Sequence, residues 1–269
     1  MAHFRHLETS KDLADCVALQ RVTWGDEFGD IVPASVLKVT QKIGGLLAGA
    51  FEGDRMVGFV YSFVGQQGET FVHWSHMLAV HSDARGQGLG RRLKLFQRAE
   101  LLKGGIKTVY WTFDPLVARN AHLNVNRLGA SVAGYIPNMY GSATGSPLHV
   151  GGDTDRCIAR WDLDSARVRW AVEGEPAIDR PATLDDAPLV TVPDIGETVE
   201  DVELPETPSV RIEIPCDIAS VAKRSPAEVE PWRLTVRRAF LTYLGRRYAV
   251  TSFYREAGGA TCYYLLRRG

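Results

Sequence analysis

Cysteine is scarce in this 269-residue chain: Cys16, Cys157, Cys216 and Cys262 stand alone, with no Cys-x-x-Cys pair. That spacing gives no support for a metal site. A disulfide framework is not expected at this length, so all four read as buried, inert thiols. An excess of one charge is missing too. With 31 Lys+Arg against 32 Asp+Glu the formal net charge is -1, so no basic field recruits nucleic acid or an anionic membrane surface. No apolar run approaches the roughly 18 residues that span a bilayer. The opening MAHFRHLETSKDLADC lacks an apolar stretch behind a basic start, so it is not a secretory signal and a cytoplasmic chain is expected. No internal repeat is visible. What remains is an ordinary globular composition, 45% hydrophobic and 23% charged, whose partners are expected to be small molecules or proteins.

The pattern along the chain predicts an α+β fold. His3–Leu7 alternates as a short strand, and Ser10 is a suitable N-cap for the helix that follows. Residues 21–33, RVTWGDEFGDIVP, read as a loop. Gly53-Asp54 marks a β-hairpin, GQQGE (65–69) a second loop, and Phe71–Val80 another strand. Leu89, Leu93, Phe96, Ala99 and Leu102 form a helix stripe ended by Gly104-Gly105. A strand, a short helix stopped by Gly129 and two further strands follow, with a Gly- and Ser-rich loop at 141–152. Strand, helix, strand in that order implies one locally parallel pair in a mostly antiparallel sheet. After Asp164 the sequence turns proline-rich and acidic, as in an extended connector or surface arm. A smaller α+β region closes the chain, its helix able to accept Pro231 only at its start or at a kink. The expected division is 1–165, a connector at 166–210, and 211–269.

The most informative stretch is DARGQGLGRRL (83–93), three alternating glycines where a strand hands over to a helix. Main-chain amides approach a bulky anion only where side chains are absent, and the first amides of a helix have no internal partner. Arg85, Arg91 and Arg92 add positive charge. The stretch reads as a cradle for a phosphate-bearing ligand. A Walker loop requires Gly-Lys-Ser/Thr, which is absent; a dinucleotide fingerprint requires G-x-G-x-x-G, and Arg91 stands where its third glycine belongs.

The pattern Arg85-x-x-Gly88-x-Gly90, after MLAV and before an amphipathic helix, with Asn120 and NRLGA downstream, resembles the GNAT superfamily of acyl-CoA-dependent N-acyltransferases. The likeness covers Phe4 to about Leu163. It implies a GNAT-like mixed sheet flanked by helices, with acetyl-CoA or another acyl-CoA as co-substrate and no metal. Arg85, Gly86, Gln87, Gly88, Leu89, Gly90 and Arg91 would hold the pyrophosphate, and a bulged strand around Leu78, Ala79 and Val80 the pantetheine arm. Asn120 is either a further contact to that arm or a simple helix cap. An N–H near Ala79 would polarise the thioester carbonyl. His76 is the candidate general base, since a histidine pKa of about 6.5 suits the task; His73 is expected on the other strand face. The tyrosine that many relatives use as the acid is replaced by Val125, leaving Tyr135 and Tyr140 as substitutes, Tyr140 favoured. The missing tyrosine keeps open a catalytically inactive acyl-CoA-binding module.

For the acceptor, Trp24, Glu27 and Phe28, with Asp26 and Asp30 nearby, suit a cationic small-molecule amine bearing an apolar body. An amino acid fits that description, and N-succinyl transfer to amino acids is the alternative reaction the resemblance implies. The basic helix around Arg237, Arg238, Arg246 and Arg247 is either a packed surface or a homodimer face.

Overall fold

The computed structural model describes residues 2–141, 145–146, 153–174, 186–194, 197–255 and 259–269. They cluster into two compact units. The first is Met1–Trp111 with Thr144–Leu148 and Trp161–Ala166; the second is Thr112–Ala143 with His149–Arg160 and Arg167–Gly269.

The first unit contains β1 (His3–His6), α1 (Ser10–Trp24), α2 (Ala34–Lys42), β2 (Leu46–Glu52), β3 (Arg55–Gln67), β4 (Thr70–Val80), α3 (Leu89–Lys103) and the start of β5 (Thr108–Phe113). Strands lie in the order β1-β2-β3-β4-β5, antiparallel as far as β4 and then parallel between β4 and β5. The mixed α+β architecture is therefore as expected. Gly53, at φ 58°, makes the tight β2–β3 turn that a Cβ would oppose. One sheet face packs Phe59, Tyr61, Met77 and Ala79 against Leu13, Cys16, Leu19 and Leu37 of α1 and α2. The opposite face takes α3, whose Leu93 is fully buried.

Two local expectations need correction, and one element is additional. Thr9, not Ser10, caps α1, because Asp12 completes a reciprocal capping box with it and also takes a two-pronged Arg5 contact. The expected 65–69 loop shrinks to a turn at Gly68-Glu69, since β3 continues to Gln67 and β4 begins at Thr70. Helix α2 is an addition to the expected elements: at nine residues, with only Leu37 and Thr40 buried, it is too short for its apolar spacing to repeat.

The second unit opens with α4 (Ala118–Ala121), which widens into a π-helical turn, His122–Arg127, before Gly129 at φ 68° stops it. It continues with β6 (Ser131–Ile136), β7 (Arg156–Asp162), α5 (Ala166–Glu173), β8 (Leu189–Val190), β9 (Ser209–Pro215), α6 (Ile218–Arg224), α7 (Val229–Gly245), β10 (Tyr248–Arg255) and β11 (Thr261–Arg268). Strands β6 and β7 pair antiparallel, and a separate four-stranded sheet runs β10-β11-β9-β8. Pro231 sits in the first turn of α7, where its missing N–H deprives no carbonyl.

The proline-rich region is not simply an extended arm: it contains α5 and β8. Its later part is fastened by Arg238 donating to the Val199 and Val202 carbonyls, and by the Tyr243 and Tyr248 hydroxyls donating to those of Pro205 and Thr207. That order comes from side chains some 40 residues away, so local periodicity could not reveal it. The thiols also need correction. The antiparallel β9–β11 register, Thr261 opposite Pro215, brings Cys216 and Cys262 together as a disulfide. Cys16 and Cys157 remain buried thiols, burial pushing the first up to about 12 and the second well above its ordinary value. Among the described residues no helix is long and apolar enough to cross a membrane. The loop expected at 141–152 lies mostly outside the described residues.

Candidate active site

The glycine run forms an open main-chain cradle. Gly86 and Gly88 adopt φ 83° and 71°, and a Cβ on either would meet nothing within 4 Å. Space is therefore not what demands glycine there; the left-handed backbone is. Gly88 is the N-cap of α3 and offers no side chain, and the first amide to turn back into the helix is that of Arg92, donating to the Gly88 carbonyl at 3.1 Å. The amides ahead of it lie at the positive end of a 15-residue helix. Leu89 anchors this turn by burying its side chain, while Arg85 and Gln87 stay exposed. Arg92 does not serve the mouth: it donates to the Ala2 carbonyl at 3.0 Å and lies over the Phe4 ring.

Beside the cradle, β4 parts from β5. Their parallel ladder contains two pairs, His73–Val109 and Trp74–Tyr110. On its other edge β4 stays paired with β3 as far as Val80, but the register shifts so that Tyr61 faces Met77 and Ser62 faces Ser75. The extra residue is His76. The bulge thus lies two residues earlier than the expected Leu78–Val80, which form a regular stretch. The His81 amide donates to the Val57 carbonyl of β3 at 2.9 Å. Strand alternation then turns the main chain of Ala79 towards β3 and that of Leu78 and Val80 towards the fork. Leu78, rather than Ala79, carries the amide available there. The Leu78 and Val80 side chains border Gly90, at 3.8 and 4.0 Å from where its Cβ would be.

Regular alternation up to the bulge decides where the histidines point. His73 is buried, 1% exposed, with Nδ1 3.0 Å from Ser62 Oγ, and burial pulls its pKa down to about 4. His76 projects on the opposite face, as expected, its ring 5.9 Å from Tyr61 edge-on and 5.7 Å from Phe63. His76 is exposed at the surface of the sheet, yet crowding by neighbouring protein desolvates the imidazole enough to lower its pKa below 6.5, against a smaller opposing pull from the Asp30 charge. His76 is therefore a neutral, reachable imidazole at neutral pH.

Of the expected acceptor residues, Trp24 stacks on Phe28 at 6.0 Å and meets Phe59 edge-on at 6.3 Å, both partly buried against the α1–α2 core. Glu27 and Asp30 are exposed. The backbone of Gly145 lies against the Glu27 carbonyl, so closely that a Cβ there would collide.

In the second unit, Tyr140 is 39% exposed, its hydroxyl 2.9 Å from Thr112 Oγ1 and its ring over the Arg156 guanidinium at 5.4 Å. Tyr135 is unsuited to donating a proton: it is buried, it donates to Asp155 at 2.6 Å, and burial together with that carboxylate drives its pKa far up. Val125 is buried in the π-helical turn. Asn120 is the third residue of α4, whose N-cap is Val117, so it does not cap the helix.

Comparison with known proteins gives the geometry a context. The model described as Acetyltransferase (GNAT) family matches residues 14–126. No curated protein matches the chain. Solved structures to which it is similar include the ribosomal-protein-S18-alanine N-acetyltransferase from Escherichia coli, 21% identical, covering 62% of this chain and 96% of that chain, TM-score 0.49. An aminoglycoside 6'-N-acetyltransferase complexed with coenzyme A is 18% identical over 61% of this chain and 98% of that one, TM-score 0.46. YncA from Salmonella typhimurium, with its cofactor acetyl-CoA, is 17% identical over 61% and 95%, TM-score 0.49.

Proposed function

We propose, from the match of residues 14–126 to the acetyltransferase (GNAT) family model, that the protein transfers an acyl group, in the simplest case acetyl, from acyl-CoA to the amine of a small molecule. The acceptor we favour is an amino acid or similar cation with an apolar body. Attack is direct, within a ternary complex. The observation that carries this reading is the left-handed Gly86–Gly88 cradle at the start of α3, set beside a strand whose main chain is released at a bulge.

In this reading the amides at the start of α3 hold the diphosphate, and Leu78 and Val80 offer their main chain to the pantetheine arm. The Leu78 amide donates to the thioester oxygen as it gains charge. His76 takes the proton of the attacking ammonium, directly or through water, which its neutral state allows. As the nitrogen–carbon bond forms and the carbon–sulfur bond breaks, Tyr140 gives its proton to the sulfur, and the second proton lost by the nitrogen restores Tyr140 through water. Trp24 and Phe28 supply an apolar wall, with Glu27 attracting the amine. The test is saturable binding of acetyl-CoA by calorimetry, followed by thiol release against a panel of amino acids and other amines. Binding with no release from any amine would contradict the transfer reading.

A further inference from the structure

One group in the first unit is expensive and has no part in the chemistry above. Lys94, in the second turn of α3, is 2% exposed and has no carboxylate partner among the described residues. Its Nζ donates to Ser75 Oγ at 2.8 Å and to Gln97 Oε1 at 3.1 Å, and lies 3.8 Å from the centre of the Trp111 ring. Gln97 Nε2 in turn donates to Ser75 Oγ at 3.2 Å. Three contacts match the three N–H groups of an ammonium, although complete burial works against the charge and lowers the pKa well below 10.5. A methionine would fill such a space without that penalty, so the amine calls for an explanation other than packing.

Its position supplies one. Ser75 is the residue at which both ladders of β4 change: it forms the last regular pair with β3 before the His76 bulge, and it follows the last pair with β5. Trp111 is the first β5 residue past that same pair. Lys94 therefore touches both prongs of the fork at its root, from the helix whose first turn is the glycine cradle. We infer that Lys94 is a positioning residue for acyl-CoA: by tying α3 to Ser75 and Trp111 it sets the spacing between the diphosphate cradle and the bulged strand. The inference rests on the acyl-CoA reading given above, and it assigns Lys94 no contact with the substrate.

The substitution Lys94→Met keeps the stem and removes the amine, leaving Ser75 and Gln97 bonded to each other. Calorimetric titration with coenzyme A is expected to give affinity weakened at least tenfold in Lys94→Met, with the melting temperature within a few degrees of wild type. Ser75→Ala should weaken binding in the same way, and Lys94→Met/Ser75→Ala should be no worse than the more affected single variant, since both break one latch. Should Lys94→Met not fold, Ser75→Ala alone carries the test. Wild-type affinity in a folded variant, or a purely additive double variant, overturns the inference while leaving the acyl-CoA reading intact. Failure of wild type itself to bind coenzyme A overturns the reading instead.

Discussion

Replacing Gly88 by alanine separates what the cradle contributes to folding from what it contributes to binding. Gly88 lies at φ 71°, ψ 13°, and a new methyl would meet no atom within 4 Å. No packing gain offsets the left-handed backbone, so Gly88→Ala should destabilise the fold by about 1 kcal/mol, roughly 2–4 °C in melting temperature for a domain of this size. Binding should suffer more. The methyl projects into open space at the mouth of the cradle, where it displaces the diphosphate from one or two amides. Hydrogen bonds to a charged group are worth about 1.5–3 kcal/mol each, so coenzyme A affinity should fall by ~2–3 kcal/mol, roughly 30- to 150-fold. Gly53→Ala is the internal control: φ is 58°, nothing lies within 4 Å, and the residue turns the β2–β3 hairpin. Differential scanning calorimetry and isothermal titration on both variants supply the assay. Equal melting losses with a binding loss confined to Gly88→Ala are expected. Undiminished coenzyme A affinity in Gly88→Ala would refute the cradle.

Four further outcomes follow from the geometry. The acidic limb of kcat/KM should lie below 6.5, because crowding lowers the His76 pKa and the rate falls only once that ring is protonated; His76→Gln should remove the limb and lower kcat by roughly 10²–10⁴. Tyr140→Phe should lower kcat with little change in the KM of acyl-CoA, and a full rate would dismiss it as the acid. His73, with a folded pKa of about 4, gains its proton more readily once unfolded; stability should therefore decline as pH falls from about 6.5 towards 4, by on the order of 3 kcal/mol. Urea midpoints for His73→Gln across this range should show the smaller slope. Reduction of Cys216–Cys262, which encloses a separation of 46 residues, should destabilise the fold by up to about 4 kcal/mol, and a melting temperature indifferent to reductant would contradict the pairing.

Much of this was legible in the chain because the signals are local. Gly86 and Gly88 demand a left-handed backbone whatever surrounds them, and the spacing of Leu89 and Leu93 sets the phase of α3, so cradle and helix could be read together. The parity of His73 and His76 likewise put them on opposite faces. The bulge was misplaced by two residues because it depends on the β3 register, which no stretch of β4 encodes by itself. Arg92 reads as part of the mouth because nothing local signals that the Ala2 carbonyl and Phe4, some 90 residues earlier, claim it. Thr9 and Ser10 are each suitable caps by residue type, and what selects Thr9 is Asp12 three residues on, which closes the box. Pairing of Cys216 with Cys262 and the fastening of residues 199–207 by α7 and Tyr248 are tertiary facts, invisible to composition. Lys94 carries no sequence signal, since a lysine between Leu93 and Leu95 looks like any solvent-facing helix position.

The central claim concerns where one ligand lies, and a crystal structure with coenzyme A bound addresses it directly. The account predicts diphosphate oxygens within hydrogen-bond reach of the amides at Gly88–Gly90 and the pantetheine arm running along the main chain of Leu78 and Val80. Coenzyme A ordered anywhere else on the molecule would contradict it.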